Sequence, residues 1–304
     1  MGEIMVSVLC LCYNHEPYIK DALDGFVKQK TTFPFEVLIH DDASTDKSAE
    51  IIREYEAKYP DIIKPIYQTE NQHSQGIKIV KEFLLPKVRG KYIAFCEGDD
   101  FWTDENKLQK QVDFLEANPE YTVCTHNTII CVMKTAHEGE ERIYFPTGNK
   151  EITPEEAILK VPVYHLSSVL VKTDFYLATR PAWMNMLPGV GDFPNAIYFS
   201  ISGRVMFLGD EIMSYYRNGT PGSWTTRVHN VFRKRIAINW KIMKMLREVD
   251  KYYNYQYHTV VRRAILNYWK LQLYLVISCC LSHCPERFVA WLRRMKRTVA
   301  KRRK

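Results

Sequence analysis

The chain has 304 residues, 46% of them hydrophobic and 25% charged, which allows a sizeable core and argues against wholesale disorder. The net charge of +7 conceals an asymmetry, because 20 Lys and Arg face 3 Asp and Glu from Arg227 onward, against 22 and 32 before it. We therefore expect an acidic body and a basic tail that meets something anionic.

The first third of the chain alternates strand-like and helical segments. Apolar runs predict strands over residues 6–13, 35–39, 63–68 and 91–96, and helical spacing predicts helices over 16–28, 48–59, 77–85 and 104–116. Such alternation is typical of an α/β fold with a doubly wound, mostly parallel sheet and flanking helices.

The middle of the chain is less regular. Residues 121–132 and 167–172 are predicted to be extended, and Thr153-Pro154-Glu155-Glu156 has the composition of a helix start. A helix over 193–202 and strands over 205–208 and 212–217 precede a Gly/Pro loop at 219–223. The remainder is predicted to be helical, which gives two domains, 1–226 and a basic helical extension at 227–304.

Several familiar signatures are missing from the sequence. It has no GxGxxG after the first strand, no GxxxxGK[ST] and no GxSxG, so the motifs of dinucleotide, P-loop and serine-hydrolase chemistry are not present. The eight cysteines form no CxxC, and Cys10, Cys12 and Cys96 fall in apolar runs. We expect them to be reduced core residues of a cytoplasmic protein.

Polar residues follow three of the predicted strands, at Cys12-Tyr13-Asn14, Asp41-Asp42 and Glu97-Gly98-Asp99-Asp100. Ligands of open α/β sheets bind at these carboxyl ends. The three carboxylates of the last group repel one another unless a cation lies among them, and Mg²⁺ or Mn²⁺ suits carboxylate oxygens and substrate phosphates. A solvated acidic turn is the alternative, but the position after an apolar strand favours a metal site.

Five segments carry a family resemblance. Residues 8–14, 36–46 and 90–102 resemble the first strand, the second-strand signature and the metal-binding DXD segment of glycosyltransferase family 2. Gly191-Asp192-Phe193-Pro194 and Tyr216-Arg217 resemble the acceptor side of members that build bacterial capsule and exopolysaccharide. The resemblance covers about residues 4–226. It implies a GT-A fold and an inverting, metal-dependent transfer of a sugar from a nucleotide-sugar donor, with a preference for UDP, to an acceptor hydroxyl.

The resemblance also implies roles for individual residues. Asp99 is expected to bind the metal at the donor diphosphate, and Asp192 to be the general base. The other residues expected in the nucleotide-sugar site are Cys12, Tyr13, Asn14, Glu16, Asp42, Gly76, Glu97, Gly98, Asp100, Arg217 and Trp224. Among these, Tyr13 and Asp42 are expected to contact the base and ribose. Glu97 is one methylene longer than the usual first acid of the DXD, and Cys12 replaces the hydroxyl residue of many members.

Simpler interpretations stand beside three of these roles. Asp192 also suits the N-cap of the helix that follows it, and the two roles are compatible. We expect the loop after the last strand to form a lid in which Arg217 or Arg227 contacts the diphosphate and Trp224 stacks on a sugar, but Trp224 also suits a buried position in a structural loop. Gly76 is equally consistent with an ordinary surface loop and with a contact to the donor.

The basic tail suggests a membrane surface. Apolar residues at 288, 291, 292, 295 and 299 recur at helical spacing among cations, as in an amphipathic helix on anionic lipid. A helix packed on the catalytic body is the alternative, and no nucleic-acid recognition motif accompanies the charge. The expected partners are a nucleotide-sugar donor, a saccharide or lipid-linked saccharide acceptor and an anionic membrane surface, without nucleic acid. The expected location is cytoplasmic, with room for peripheral attachment to the cytoplasmic face of the plasma membrane.

Two other functional classes compete with a transferase. A non-catalytic nucleotide-sugar-binding protein at a membrane surface would tolerate loss of Asp99 and Asp192. A metal-dependent phosphohydrolase or receiver-type domain would carry its key Asp after the first strand, where this chain has Tyr13-Asn14.

Overall fold

One ten-stranded sheet organises the molecule. The computed structural model describes residues 2–135, 138–160, 162–187, 191–221, 223, 226 and 231–282. The strands are β1 Val6–Cys12, β2 Phe35–Asp41, β3 Ile63–Tyr67, β4 Tyr92–Phe95, β5 Phe101–Trp102, β6 Val123–Met133, β7 Gly139–Ile143, β8 Lys150–Ile152, β9 Leu170–Lys172 and β10 Val205–Asn218. Their order is β3-β2-β1-β4-β9-β6-β10-β5, with β7 beside β6 and β8 beside β10.

The sheet is mostly parallel in its centre. β3, β2, β1 and β4 pair in parallel, and β6 pairs in parallel with β10. β9 runs antiparallel to both β4 and β6 and joins these two groups. The predicted doubly wound, mostly parallel α/β sheet is confirmed. Its parallel strands have their carboxyl ends at one edge of the sheet.

Helices cover both faces of the sheet. They are α1 Ile19–Val27, α2 Ser48–Lys58, α3 Lys107–Ala117, α4 Pro154–Leu159, α5 Thr173–Leu177, α6 Asp192–Ser202, α7 Phe232–Tyr252 and α8 His258–Ser282. Alternate residues of β1 enter different cores, since Val8 packs in a cluster with α1 and α3 while Leu9 packs in a cluster with α4, α6, α7 and α8. Five cysteines, at 10, 12, 96, 124 and 131, are buried and unpaired, as expected of reduced core residues.

Two predicted elements differ in the structure. Residues 77–85 form a π-helical turn, Val80–Leu84, followed by a 3₁₀ turn, Leu85–Lys87, in place of an α-helix. Pro86 has no N–H to donate to the carbonyl of Glu82, so an α-helix cannot continue through it. The strands predicted at 205–208 and 212–217 are one strand, β10, whose register against β6 shifts between Leu208 and Ile212.

The C-terminal helices share a core with the sheet. Leu246 and Val249 of α7 and Val261 and Ala264 of α8 are buried in the same cluster as Leu9 of β1. The described residues contain no helix that is long and apolar enough to span a bilayer. The boundary at residue 226 stays a prediction, and residues 288–304 of the predicted amphipathic helix lie outside the described residues.

Candidate active site

The ends of β1, β2 and β4 meet at one edge of the sheet. Asp42 donates its backbone N–H to the Cys12 carbonyl at 3.0 Å, and Gly98 donates to the Leu11 carbonyl at 2.9 Å. Gly98 lacks room for a side chain, because a Cβ there would lie 2.9 Å from both His15 Nδ1 and Ile19 Cδ1. The close approach of backbone to backbone therefore brings the acidic segment beside the end of β1.

Three carboxylates converge at this edge. One oxygen each from Glu97, Asp99 and Asp100 lie within 4.8 Å of one another. Glu97 has solvent-exposed surface, yet reduced hydration and the negative charges of Asp99 and Asp192 raise its pKa to about 8. Burial and the negative charges of Asp99 and Glu97 raise the pKa of Asp100 well above its usual value. Mutually repelling carboxylate oxygens this close fit a hard divalent cation, Mg²⁺ or Mn²⁺.

The end of β10 and the residues just after it hold the acidic segment in place. Arg217 donates its backbone N–H to Asp100 Oδ1 at 3.0 Å and its guanidinium to the main-chain oxygen of Asp99 at 2.9 Å. Thr220 Oγ1 donates to Asp99 Oδ2 at 2.9 Å. One oxygen on each of Asp99 and Asp100 is thus oriented by a hydrogen bond from the end of β10 or the loop after it.

The Arg217 side chain is itself fixed. Its guanidinium pairs with Asp21 of α1 and lies 4.7 Å from the centre of the Phe101 ring. The side chain is 10% exposed. In this position Arg217 supports the acidic segment, and its contact with a donor diphosphate stays a prediction.

A neutral histidine lies beside Asp100. His165 Nε2 lies 3.9 Å from Asp100 Oδ2, its ring stacks on Tyr216 at 4.0 Å, and its Nδ1 bonds to Ser167 Oγ at 2.8 Å. Burial lowers the pKa of His165 to about 3. The imidazole is therefore neutral at physiological pH, and its contact with Asp100 is not an ion pair.

Asp192 begins α6 within electrostatic range of the acidic segment. It is the first residue of α6, after Gly191, and makes no capping bond, so in this structure it does not act as the N-cap. Its carboxyl is open to solvent, but the surrounding protein reduces its hydration and raises its pKa to about 6. Its charge acts on Glu97 and also on Tyr144 and Tyr164. Asp192 and the acidic segment therefore share one site.

The expected donor-side residues lie together at the ends of β1 and β2. Tyr13 is 45% exposed, so its ring is free to stack. Asn14 adopts a φ of 54° and accepts the backbone N–H of Thr45 at 2.8 Å, which ties the two strand ends together. Cys12 is buried, and Glu16 accepts the backbone N–H of Lys47 at 3.2 Å.

Asp42 is already engaged by the chain. It is 3% exposed, and its two oxygens accept the backbone N–H groups of Gln72 and His73 at 2.8 and 3.0 Å. The same loop contains Gly76, whose φ of +79° and open surroundings are those of an exposed turn. The structure thus places the loop of residues 71–76 over the end of β2, and base contacts by Asp42 and Gly76 stay predictions.

Several residues of the site could not be recognised from the sequence. Asp21 and Tyr164 belong to segments without any motif, although the hydroxyl of Tyr164 is buried with no partner among the described residues. Thr220 lies in the predicted Gly/Pro loop but was not expected to contact Asp99. Trp224 and Arg227, the expected lid residues, lie outside the described residues.

Comparison with known proteins bears on this site. The family model for glycosyl transferase family 2 matches residues 7–174. The uncharacterized protein Rv1520 of Mycobacterium tuberculosis is 36% identical over 219 residues, 72% of this chain and 60% of that protein. TuaG of Bacillus subtilis, named as a teichuronic acid biosynthesis glycosyltransferase, is 34% identical over 111 residues, 36% of this chain and 42% of its own. The chain thus spans 60% or less of the length of these relatives.

Solved structures show a similar fold. S. aureus TarS 1-349 in complex with UDP-GlcNAc superposes with a TM-score of 0.55 at 18% identity, covering 80% of this chain and 66% of that one. The mannosyltransferase PcManGT from Pyrobaculum calidifontis, in complex with GDP-Man and Mn²⁺, superposes with a TM-score of 0.55 at 16% identity, covering 99% and 81%. At these identities the likeness establishes the GT-A fold.

Proposed function

Because the chain belongs to glycosyl transferase family 2, we propose that it is a nucleotide-sugar-dependent glycosyltransferase that acts with inversion and requires a divalent metal. The observation that carries this proposal is the shared site of Asp192 and the acidic segment, in which the charge of Asp192 raises the pKa of Glu97. A transferase needs these two parts within one sugar's reach, one at the leaving diphosphate and one at the attacking hydroxyl.

The acidic segment suits the diphosphate side. Asp99 and Asp100 are oriented by Thr220 and Arg217, and Asp99 is our proposed metal ligand. When bound there, Mg²⁺ or Mn²⁺ would neutralise the charge that grows on the leaving diphosphate. Tyr13, exposed at the end of β1, is proposed to stack on the nucleotide base, and a UDP donor is preferred.

Asp192 suits the acceptor side. With a pKa of about 6 it is deprotonated at neutral pH, while remaining more basic than an ordinary aspartate. It is proposed to accept the proton of the acceptor hydroxyl as the glycosidic bond forms, a role worth about 10²–10⁴-fold in rate. The negative charge of Asp192 raises the pKa of both Tyr144 and Tyr164. These two tyrosines are proposed to line the acceptor site.

The acceptor is proposed to be a saccharide or lipid-linked saccharide in cell-surface polysaccharide assembly. The name of the relative TuaG supports this substrate class. The proposed place of action is the cytoplasmic face of the membrane, where a lipid-linked acceptor would be reached.

A nucleotide-release assay tests the proposal. UDP-, GDP- and dTDP-sugars would be offered with Mn²⁺, with Mg²⁺ and with EDTA, to the wild type and to Asp192→Asn. We expect release from one nucleotide class, its loss in EDTA, and a loss of about 10²-fold or more in Asp192→Asn with donor binding retained. Undiminished turnover in Asp192→Asn would disprove the base assignment, and donor binding without turnover in any condition would favour the non-catalytic alternative.

A further inference from the structure

Helix α8 is apolar on two opposite faces. Val261, Ala264 and Leu275 point inward and are buried. The residues exposed on the outer side include Leu266, Trp269, Leu273, Val276 and Ile277. Their spacing of three and four places them on one stripe of the helix. A second apolar stripe open to water requires an explanation, since one stripe is enough to pack α8 on the body.

Helix α7 extends this stripe sideways. Its exposed Trp240 meets Trp269 edge to face with ring centres 4.8 Å apart. We call the combined surface the outer face. It consists of Trp240, Leu266, Trp269, Leu273, Val276 and Ile277. It combines two tryptophans with long aliphatic side chains, the composition of helices that lie in the interfacial region of a bilayer.

Exposed cations border the outer face. Lys270 is four residues after Leu266 and three before Leu273, so it lies beside both on the helix surface. Lys244 stands one turn after Trp240, and Arg262 one turn before Leu266. The acids of α7 and α8 are few.

Those acids do not offset the cations at the outer face. They are Glu248 and Asp250, and Asp250 is buried and bonded to His258 at 2.7 Å. The outer face is thus apolar in its centre and cationic at its border.

We propose that the outer face of α7 and α8 docks on an anionic membrane surface. A second copy of the chain is a poorer occupant, because two such faces would bring cation against cation. The following segment, residues 283–304, has an apolar stripe of its own, but its nine Lys and Arg against one Glu would lie beside the cationic border of the outer face. An anionic lipid surface suits both parts of the outer face. Its acyl boundary would bury the apolar centre, and its headgroups would pair with the cations.

The purpose of this contact rests on the proposed function, because it would carry the active site to a lipid-linked acceptor. The contact itself is testable without donor, acceptor or metal. Failure of membrane docking would therefore leave the transferase proposal intact, and loss of turnover would leave the docking proposal intact.

Flotation of the full chain with liposomes tests the inference. Vesicles of phosphatidylcholine alone and of phosphatidylcholine mixed with the anionic lipid phosphatidylglycerol would be compared for the wild type and for Leu273→Ser/Ile277→Ser. These side chains are 62% and 47% exposed, so their replacement should leave the fold intact. The matched control is Leu177→Ser/Ile143→Ser, with 51% and 47% exposure on α5 and β7.

We expect the wild type and the control to float with the anionic vesicles, and the outer-face variant to partition about tenfold or more weakly at unchanged circular dichroism. Binding of the outer-face variant equal to wild type would overturn the proposal and assign binding to another segment. A dimer in sedimentation velocity that this variant abolishes, without vesicle binding by the wild type, would also overturn it.

Discussion

Replacement of Arg217 by Met should displace the acidic segment. The guanidinium hydrogen bond to the main-chain oxygen of Asp99 comes from a charged, nearly buried donor and is worth about 1.5–3 kcal/mol. The contact with the Phe101 ring adds about 1 kcal/mol. The pair with Asp21 adds only about 0.5 kcal/mol, because the Asp21 side chain is 50% exposed and solvent screens it. Arg217→Met should therefore lower the free energy of unfolding by about 3–4.5 kcal/mol.

The matched control is Asp21→Asn. It removes the screened ion pair and keeps both the hydrogen bond to Asp99 and the ring contact, so a loss below about 1 kcal/mol is expected. Urea denaturation followed by far-UV circular dichroism measures both losses, and Mn²⁺ titration followed by electron paramagnetic resonance measures the site. Mn²⁺ affinity should fall in Arg217→Met and be nearly kept in Asp21→Asn. Equal losses in the two variants would refute the argument that Arg217 acts chiefly through Asp99.

Four further predictions concern other residues in and around the site. The reaction rate should fall below about pH 6, because protonation removes the base form of Asp192, whose pKa is about 6. A profile of kcat/KM against pH measures this. If the residual rate of Asp192→Asn showed the same inflection, the inflection would belong to another group. The pKa of Asp192 is also higher in the folded protein than in the unfolded chain, so the stability that protonated Asp192 contributes is lost as pH rises from about 4 to about 6. Asp192→Asn should therefore be more stable than the wild type at pH 8 in urea denaturation. A less stable variant would contradict this. Ala43→Gly should stabilise the protein by about 1 kcal/mol in the same assay, because Ala43 has a φ of 60°; a loss would show that its methyl group is needed. Gly98→Ala should lower both stability and Mn²⁺ affinity, since its Cβ would lie 2.9 Å from His15 Nδ1, and wild-type values would show that the neighbouring side chains give way.

Local chemistry made much of the fold predictable. Thr153 begins α4 as expected and accepts the N–H of Glu156 at 3.2 Å, and the apolar runs at β1, β2 and β4 placed the three polar strand ends at one edge. The break expected between residues 208 and 212 was wrong, because Gly209-Asp210-Glu211 forms an irregularity within β10. Charged residues in a strand and in a turn look alike when the pairing partner is unknown.

Long-range pairing explains what the sequence did not reveal at the site. Asp21 and Arg217 meet across 196 residues of sequence, and nothing near Asp21 marks it as a partner. The acidic segment was recognisable because its three carboxylates are adjacent in sequence. Its supports, Thr220 and Arg217, become visible only when β10 lies in the sheet beside β6 and β5.

The position of β10 has a consequence for synthesis on the ribosome. β1 to β4 form a parallel group from residues that precede β10, so the ends of these strands can come together before β10 is translated. β5, directly after the acidic segment, pairs only with β10 among the described strands, at Ser214 and Tyr215. A nascent chain that has not yet delivered Arg217 therefore cannot fix Asp99 and Asp100, and the acidic segment should take its final position only after β10 has been translated.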